Sequence, residues 1–340
     1  MFTEEEVLNA STEYFCGDTL ASSVWVNKYS LKDGDKIYEK TPEDMHHRIS
    51  KEFARIEKNK FKEPLTEEFI FSLLDRFKYI VPQGSPMFGI GNPYQVVSLS
   101  NCFLLDVPLD SYSSILEVDE QLVNISKRRG GVGIDLSNLR PKGTPTKNSA
   151  KSSTGITSWM ERFSNSIREV GQSARRGALM LTLDIRNPDI LDFITIKYDD
   201  TKVTGANISV RVNREFLDAV RENNDYELRW PIDGEKKISK MISATDIWKK
   251  IIHSAWLRAE PGILDWTNVE ENTPSDCYEE YKSRGCNPCQ PGNAPILTKG
   301  GIRLLQDIKI GDDIWSSEGW TKVINKQETG IKPVYKYRTT

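Results

Sequence analysis

The chain is poor in cysteine and histidine. Its 340 residues hold five cysteines, Cys16, Cys102, Cys277, Cys286 and Cys289, and three histidines, His46, His47 and His253. Cysteines so few and so scattered do not make a disulfide scaffold. A zinc site needs four ligands, and Cys286-x-x-Cys289 would have to recruit Cys277 and a distant histidine to supply them. No metal is expected. A thioredoxin-like pair heads a helix, which Pro288 and Gln290-Pro291-Gly292 do not suggest. No apolar run approaches the ~18 residues of a membrane span. The acidic start, Met1-Phe2-Thr3-Glu4-Glu5-Glu6, has neither the basic opening nor the apolar stretch of a secretory signal. There is no excess of positive charge: 46 basic residues face 49 acidic ones, so the clustered cations that coat nucleic acid are missing. Internal repeats and low-complexity linkers are also absent. These absences predict a cytoplasmic protein with reduced thiols, in which a special cysteine serves catalysis rather than structure.

What is present is an apolar content of 38%, ample for a core, in a chain long enough for two domains or one large α/β domain with an appendage. Residues 1–80 read as helical. Thr41-Pro42-Glu43-Asp44 is a capping box with proline at the first helical position, followed by Met45, Ile49, Phe53 and Ile56 on one face. A second helix starts near Thr66, with Phe69, Ile70, Leu73, Leu74 and Phe77 as its stripe. Val96-Val97-Ser98-Leu99 reads as a strand, and helices are predicted over 114–128 and 157–170. Strands are predicted from Leu179 to Ile185 and from Ile208 to Val212, with a helix led by Asn187-Pro188-Asp189 between them. Ile247, Ile251, Ala255 and Trp256 mark a further helix. Such alternation implies an α/β core over residues 81–288. From 289 to 340 the texture changes to short strands with glycine turns at Lys299-Gly300-Gly301 and Glu318-Gly319, and Val334 to Thr340 alternates like a half-buried strand.

Several motifs resemble the large subunit of ribonucleotide reductases, in its cobalamin-dependent class II branch. They are Glu13-Tyr14-Phe15-x-Gly17-Asp18, Asn27-Lys28-Tyr29, Thr41-Pro42-x-Asp44-Met45-His46 and Arg128-Arg129-Gly130-Gly131-Val132-Gly133. Pro82-Gln83-Gly84-Ser85-Pro86-Met87 and Ser100-Asn101-Cys102 are similar to that family's substrate-binding strand, and Asn287-Pro288-Cys289 to its active-site Asn-Pro-Cys. The resemblance implies the first half of an α/β barrel and a thiyl-radical reduction of ribonucleotides. In it Cys102 is one of two reducing thiols, its partner lying beyond residue 289. Ser85, Asn101, Gly131 and Asn287 then lie against substrate. Asp110, Ser111 and Arg140 hold a deoxynucleoside triphosphate effector, and the loop 171–177, with Gln172 and Arg176, carries effector identity to the substrate base. Read without the resemblance, Cys102 is a small core residue. Arg128-Arg129-Gly130-Gly131 is likewise either a phosphate cradle or a tight loop with two solvated arginines. The glutamate expected two residues after the radical cysteine is replaced by Pro291.

A second resemblance begins at Cys289. Cys289-Gln290-Pro291-Gly292, with Ile310-Gly311-Asp312-Asp313-Ile314, resembles the opening of an intein, or Hint domain, whose first cysteine attacks the preceding carbonyl. The splice junction would be Pro288–Cys289, and Pro288 should slow the first acyl shift through its restricted backbone. No histidine follows His253, so the Thr-x-x-His and terminal His-Asn of an intein would have to come from a second chain. An ordinary β extension of the reductase barrel is the plainer reading.

Together these resemblances imply an amino-terminal reductase fragment (1–288) fused to an amino-terminal intein fragment (289–340), inactive by itself. The implied partners are a carboxy-terminal half carrying the rest of the intein, a ribonucleotide substrate, a thioredoxin-type reductant and a second copy after splicing, with neither nucleic acid nor membrane. The implied cofactor is adenosylcobalamin, or else a radical from a metal-containing small subunit. No ATP-binding helical module is expected ahead of residue 8. The alternative is a standalone autoprocessing or nucleotide-binding protein without reductase activity.

Overall fold

The computed structural model describes residues 1–170, 177–278, 282–286, 295–298, 301–304, 311, 313–316 and 319–322. A helical lobe comes first. Thr3 and Glu6 form a capping box on α1 (Glu4–Tyr14), and Asp18 accepts the Ala21 N–H to start α2 (Thr19–Lys28). A small hairpin of β1 (Lys32–Asp33) and β2 (Lys36–Ile37) interrupts the helices. Helix α3 (Pro42–Lys60) begins at the predicted box, where the Asp44 carboxylate accepts from the Lys40 and Thr41 N–H groups. Thr66 caps α4 (Glu67–Leu74) through the Phe69 N–H. Val7, Trp25, Val26, Ile37, Met45, Ile49, Ala54, Ile70 and Leu74 close the lobe's core. Two residues of the predicted stripes, Phe53 and Phe69, are exposed instead, at 42% and 50%. The buried sides of α3 and α4 are narrower than their apolar patterns.

Pro82 to Met87, likened above to a strand, enters a short helix, α5 (Gly84–Gly89). Pro86 falls in its first turn, where a missing N–H costs nothing. Val96–Leu99 is not a strand either, since among the described residues no neighbouring strand pairs with it; Val96 is 82% exposed. β-branched composition alone does not make a strand without a partner.

The second part runs β3 (Cys102–Leu104), α6 (Tyr112–Ser126), β4 (Gly131–Asp135), α7 (Ile156–Glu169), β5 (Leu179–Asp184), α8 (Ile190–Thr195), β6 (Asn207–Val212), α9 (Arg214–Glu222), a hairpin of β7 (Asp225–Trp230) and β8 (Ile238–Ser243), α10 (Ala244–Arg258), β9 (Gly262–Asp265) and α11 (Trp266–Asn272). Strands β3, β4, β5, β6 and β9 form a parallel sheet in that order. Each is laid beside the one before it after a helical crossover, so the sheet grows in one direction without the reversal of a doubly wound fold. Val132, Ile134, Leu179, Leu181, Leu183, Ile208, Val210 and Val212 face the helices and join Leu122, Met160, Phe163, Phe193 and Ile251 in one core. Alternation places Gly131, Gly133, Asp135, Met180, Thr182, Asp184, Asn207, Ser209 and Arg211 on the opposite face. Apart from Met180, that face carries only glycine and polar residues, unlike a sheet covered on both sides by helices.

Beyond residue 294, β10 (Pro295–Thr298), β11 (Gly301–Leu304), β12 (Asp313–Ser316) and β13 (Gly319–Lys322) form an antiparallel sheet in the order β11-β10-β12-β13. Short strands at the predicted glycine turns are thus present. The run from Val334 to Thr340 lies outside the described residues.

One residue of the helical lobe carries a stability signature. His46 on α3 is fully buried, edge-on to Phe77 at 4.6 Å, with neither ring nitrogen hydrogen-bonded. Burial pushes its pKa from 6.5 down to about 4, against the opposing pull of Asp75. Between those values the unfolded chain holds a proton that the folded chain does not, so stability is intact above pH 6.5 and is lost as pH falls toward 4. The shift corresponds to about 3 kcal/mol. Urea unfolding of wild type and His46→Leu across that window is expected to show a shallower acid loss in the variant; equal losses would refute this role for His46.

Candidate functional site

At the amino-terminal ends of β3 and β4 the two lobes interlock. Asn101 sits at the centre. Its carbonyl accepts the Gly131 N–H at 2.7 Å, its side-chain oxygen accepts the Ser85 N–H at 2.7 Å, and its amide donates to Gln83 at 2.6 Å. Cys102 follows it as the first residue of β3, in register with Gly131, and is exposed. Exposure rules out a core role for Cys102. Gly131 has no room for a side chain to be added freely: a Cβ there would stand 3.2 Å from the Ala178 Cβ and 3.4 Å from the Asn101 carbonyl oxygen.

Arg129 completes the junction. With φ at 70°, it is 8% exposed, stacks its guanidinium 3.8 Å over the Phe88 ring and donates to the Lys28 carbonyl at 3.0 Å. This corrects the expectation of two solvated arginines. Arg128 is exposed, but Arg129 bolts α2 and α5 onto the sheet, because its left-handed backbone turns the side chain inward.

Further along the same sheet face, the chain returns. A Cβ on Gly133 would lie 2.4 Å from the Cys286 carbonyl oxygen, and one on Gly285 would lie 2.8 Å from Leu104 Cδ1. Arg284 donates to Asp106 at 2.9 Å. The segment 284–286 therefore rests on Gly133 of β4, where no side chain stands, and against the Leu104 side chain of β3. Beyond it on this face, Asp135 is buried and accepts from Thr182 at 2.6 Å and from Arg211 at 2.9 Å, and the Arg211 guanidinium stacks on Trp266.

A second cluster lies at the start of α6. Arg140 donates its backbone N–H and its Nε to the Asp110 carboxylate at 3.1 and 2.7 Å, and Ser111 caps the helix through the Ser114 N–H. Lys142 and Ile156 bracket a loop, and both donate backbone N–H groups to the Asp189 carboxylate. Burial pushes the Asp189 pKa up, while the N–H groups of Ile156 and Lys142 pull it back.

The structure thus brings Ser85, Asn101, Cys102 and Gly131 together, and separately Asp110, Ser111 and Arg140. The Ser85 hydroxyl is fully buried without a hydrogen-bond partner, so its backbone N–H, held by Asn101, is the part in use. Gln172, Arg176, Asn287, Pro288 and Cys289 lie outside the described residues. Sequence reasoning quoted Gln83, Gly133 and Asp189 within its motifs but gave none of them a role of its own, and it missed the inward turn of Arg129. Glycines two apart in Gly131-Val132-Gly133 could have signalled a bare strip on one strand face; for Gln83 no local signal exists.

An open parallel sheet wound in one direction, with a cysteine and a glycine side by side at the head of its first two strands, makes this part of the chain an α/β protein. The family described as "Ribonucleotide reductase, barrel domain" matches residues 100–291, more than half of the chain. The chain belongs to the ribonucleotide reductase family. It is similar to the vitamin B12-dependent ribonucleoside-diphosphate reductase of Thermoplasma acidophilum, at 34% identity over 255 residues, covering 73% of this chain and 31% of that protein. The vitamin B12-dependent ribonucleotide reductase of Streptomyces coelicolor is 28% identical over 321 residues, covering 85% of this chain and 31% of its own length. A ribonucleoside-diphosphate reductase subunit alpha of Bacillus subtilis is 28% identical over 236 residues, covering 61% of this chain and 22% of that protein. The chain spans about a third or less of the length of these relatives.

The packing of segment 284–286 is directly testable. Gly133→Ala places a methyl where the Cys286 carbonyl stands, and overpacking of this kind costs about 1–3 kcal/mol. The segment is expected to lift, and Cys286 to react with iodoacetamide several-fold faster than in wild type. An unchanged alkylation rate would show that 284–286 does not rest on Gly133.

Proposed function

We propose that this chain is the amino-terminal part of a cobalamin-dependent ribonucleoside-diphosphate reductase, residues 1–288, joined to the amino-terminal part of an intein, residues 289–340. The observation that carries the reading is the exposed Cys102 beside Gly131, inside a stretch that belongs to the reductase barrel family. In this reading Cys102 and a thiol of the complementing chain deliver two electrons to the ribose. The 2′-hydroxyl leaves as water, the two thiols close to a disulfide, and an external dithiol resets them.

The residues around Cys102 have distinct tasks. Asn101, fixed by Gln83, holds the Ser85 N–H and the Gly131 strand in place, so that sugar and thiol meet on a side-chain-free surface. Segment 284–286 leads to Asn287 and Cys289, the first assigned to the ribose and the second to the position of the radical cysteine. Adenosylcobalamin supplies the initiating radical when bound. The exposed Leu99 and Leu104 flanking Cys102 fit a large cofactor with apolar surface, and two of the relatives are B12-dependent by name. Asp110, Ser111 and Arg140 form the effector site, in which the triphosphate must draw Arg140 away from the carboxylate it now holds.

Cys289 has a second task in this reading. As the intein's first residue, it attacks the Pro288 carbonyl with its thiol, and the Pro288–Cys289 amide breaks to a thioester with the Cys289 amine freed. The first residue of the partner's extein takes over the acyl group, so that Cys289 leaves with the intein as a thiol. The reading that keeps Cys289 as a reductase residue of an uninterrupted barrel has its own support, because the family match runs through it to residue 291.

Co-expression with a chain carrying the remaining barrel and intein halves tests the proposal. The wild-type pair is expected to give a ligated product by intact mass and, with adenosylcobalamin and a dithiol, deoxyribonucleotide. Cys289→Ala should abolish ligation, whereas Cys102→Ala should leave ligation intact and remove turnover. Turnover by the 340-residue chain alone, or ligation by Cys289→Ala, would contradict the split reading.

A further inference from the structure

Residues 140–155 contain Arg140, Lys142, Lys147 and Lys151 and no acidic residue. The loop is internally tied. Gly143 N–H reaches the Ser153 carbonyl, Ser153 N–H the Thr144 carbonyl and Thr146 N–H the Lys151 carbonyl, and Pro145 pairs with Ser152. It is a small cationic hairpin that keeps its own shape. Its two roots orient it on the molecule. Lys142, at one root, donates its N–H to both Asp189 carboxylate oxygens at 3.1 and 3.0 Å; Ile156, at the other, donates to Asp189 Oδ2 at 2.9 Å.

Asp189 occupies the amino-terminal cap position of α8, yet its side chain makes no cap bond to that helix. It caps α7 instead, whose own cap residue, Gly155, has no side chain to offer and a φ of +83°. A Cβ at Gly155 would lie 2.6 Å from Asp189 Oδ2, so glycine is the residue that lets the carboxylate in. Asp189 is 7% exposed and is itself braced by Asn187, whose side chain accepts the Asp189 N–H at 2.9 Å. A buried carboxylate that consumes both roots of one loop fixes that loop's direction. Arg140 stands two residues before the first root and points back to Asp110.

We propose that Asp189 is the positioning residue that sets the pose of the cationic hairpin 141–154, and through it the approach of Arg140 and the loop lysines to the triphosphate of a nucleotide. The ligand half of this inference rests on the effector reading given above; the anchoring half does not. Triphosphate oxygens suit the site because charge-assisted hydrogen bonds from guanidinium and ammonium groups are strong, and a loop held in one pose spares part of the ordering cost when the triphosphate draws Arg140 off Asp110.

The test uses the full chain, with dATP and inorganic tripolyphosphate as calorimetric probes and amide hydrogen exchange as a second readout. Asp189→Ala removes every acceptor; it is expected to weaken both probes at least about tenfold and to speed exchange at Lys142 and Ile156 by a similar factor. Asp189→Asn keeps one acceptor oxygen within reach of both N–H groups and should restore most of both properties. It also serves if the alanine chain fails to fold. Arg140→Ala should lose probe binding while exchange at Lys142 and Ile156 stays as in wild type. Unchanged exchange in Asp189→Ala, or lost protection with full probe binding, overturns the proposal. If wild type binds neither probe, the effector reading falls and takes the ligand half with it, while the exchange data still decide the anchor.

Discussion

A strip of the parallel sheet carries no side chains, and the candidate site depends on it. Gly131 and Gly133 stand two apart on β4, opposite Cys102 and Leu104 of β3, and on that bare strip the backbone of 284–286 comes within contact distance. A methyl group at either position would meet backbone or a neighbouring Cβ at 2.4 to 3.2 Å. The absence of bulk lets a chain segment occupy the polar face of a sheet whose other face is a conventional apolar core. It also leaves Cys102 accessible at the head of β3.

Precision at that point comes from the helical lobe. Asn101 is consumed on every side, by Gly131, Ser85 and Gln83, and Arg129 threads back to Phe88 and Lys28. These contacts join elements more than fifteen residues apart in sequence; the Gln83 bond is exposed and the Ser85 bond part-buried, while Arg129 is buried, where a lost partner costs more than a made bond gains. The lobe acts as a clamp on the first two strands, and the same logic recurs where Asp189 braces α7 from α8.

Much of this was legible in the sequence, and the limits have physical causes. The capping box at Thr41 to Asp44, the helices under α6 and α7 and the strands β5 and β6 follow from local periodicity, which those segments obey because one face of each is buried. Val96–Leu99 misled because β-branched residues mark strands only where a partner exists. Pro82–Met87 misled because its motif is likened to a strand, whereas proline in a first helical turn leaves the helix intact. Arg129 misled because a pair of adjacent arginines reads as solvated until the left-handed backbone at one of them is seen. Gln83 acts on the side-chain amide of Asn101 and Asp189 on the backbone N–H of Ile156, 18 and 33 residues away, and no short window of residues contains both ends of such a bond.

The central claim is that Cys102 is a redox-active thiol of a ribonucleotide reductase whose second reducing thiol comes from another part of the enzyme. The most direct measurement is a single turnover of the assembled, pre-reduced enzyme without external reductant, followed by alkylation and disulfide mapping. The account expects deoxyribonucleotide to form in step with a disulfide joining Cys102 to a cysteine of the complementing chain. Product formed while Cys102 remains an alkylatable thiol would contradict it.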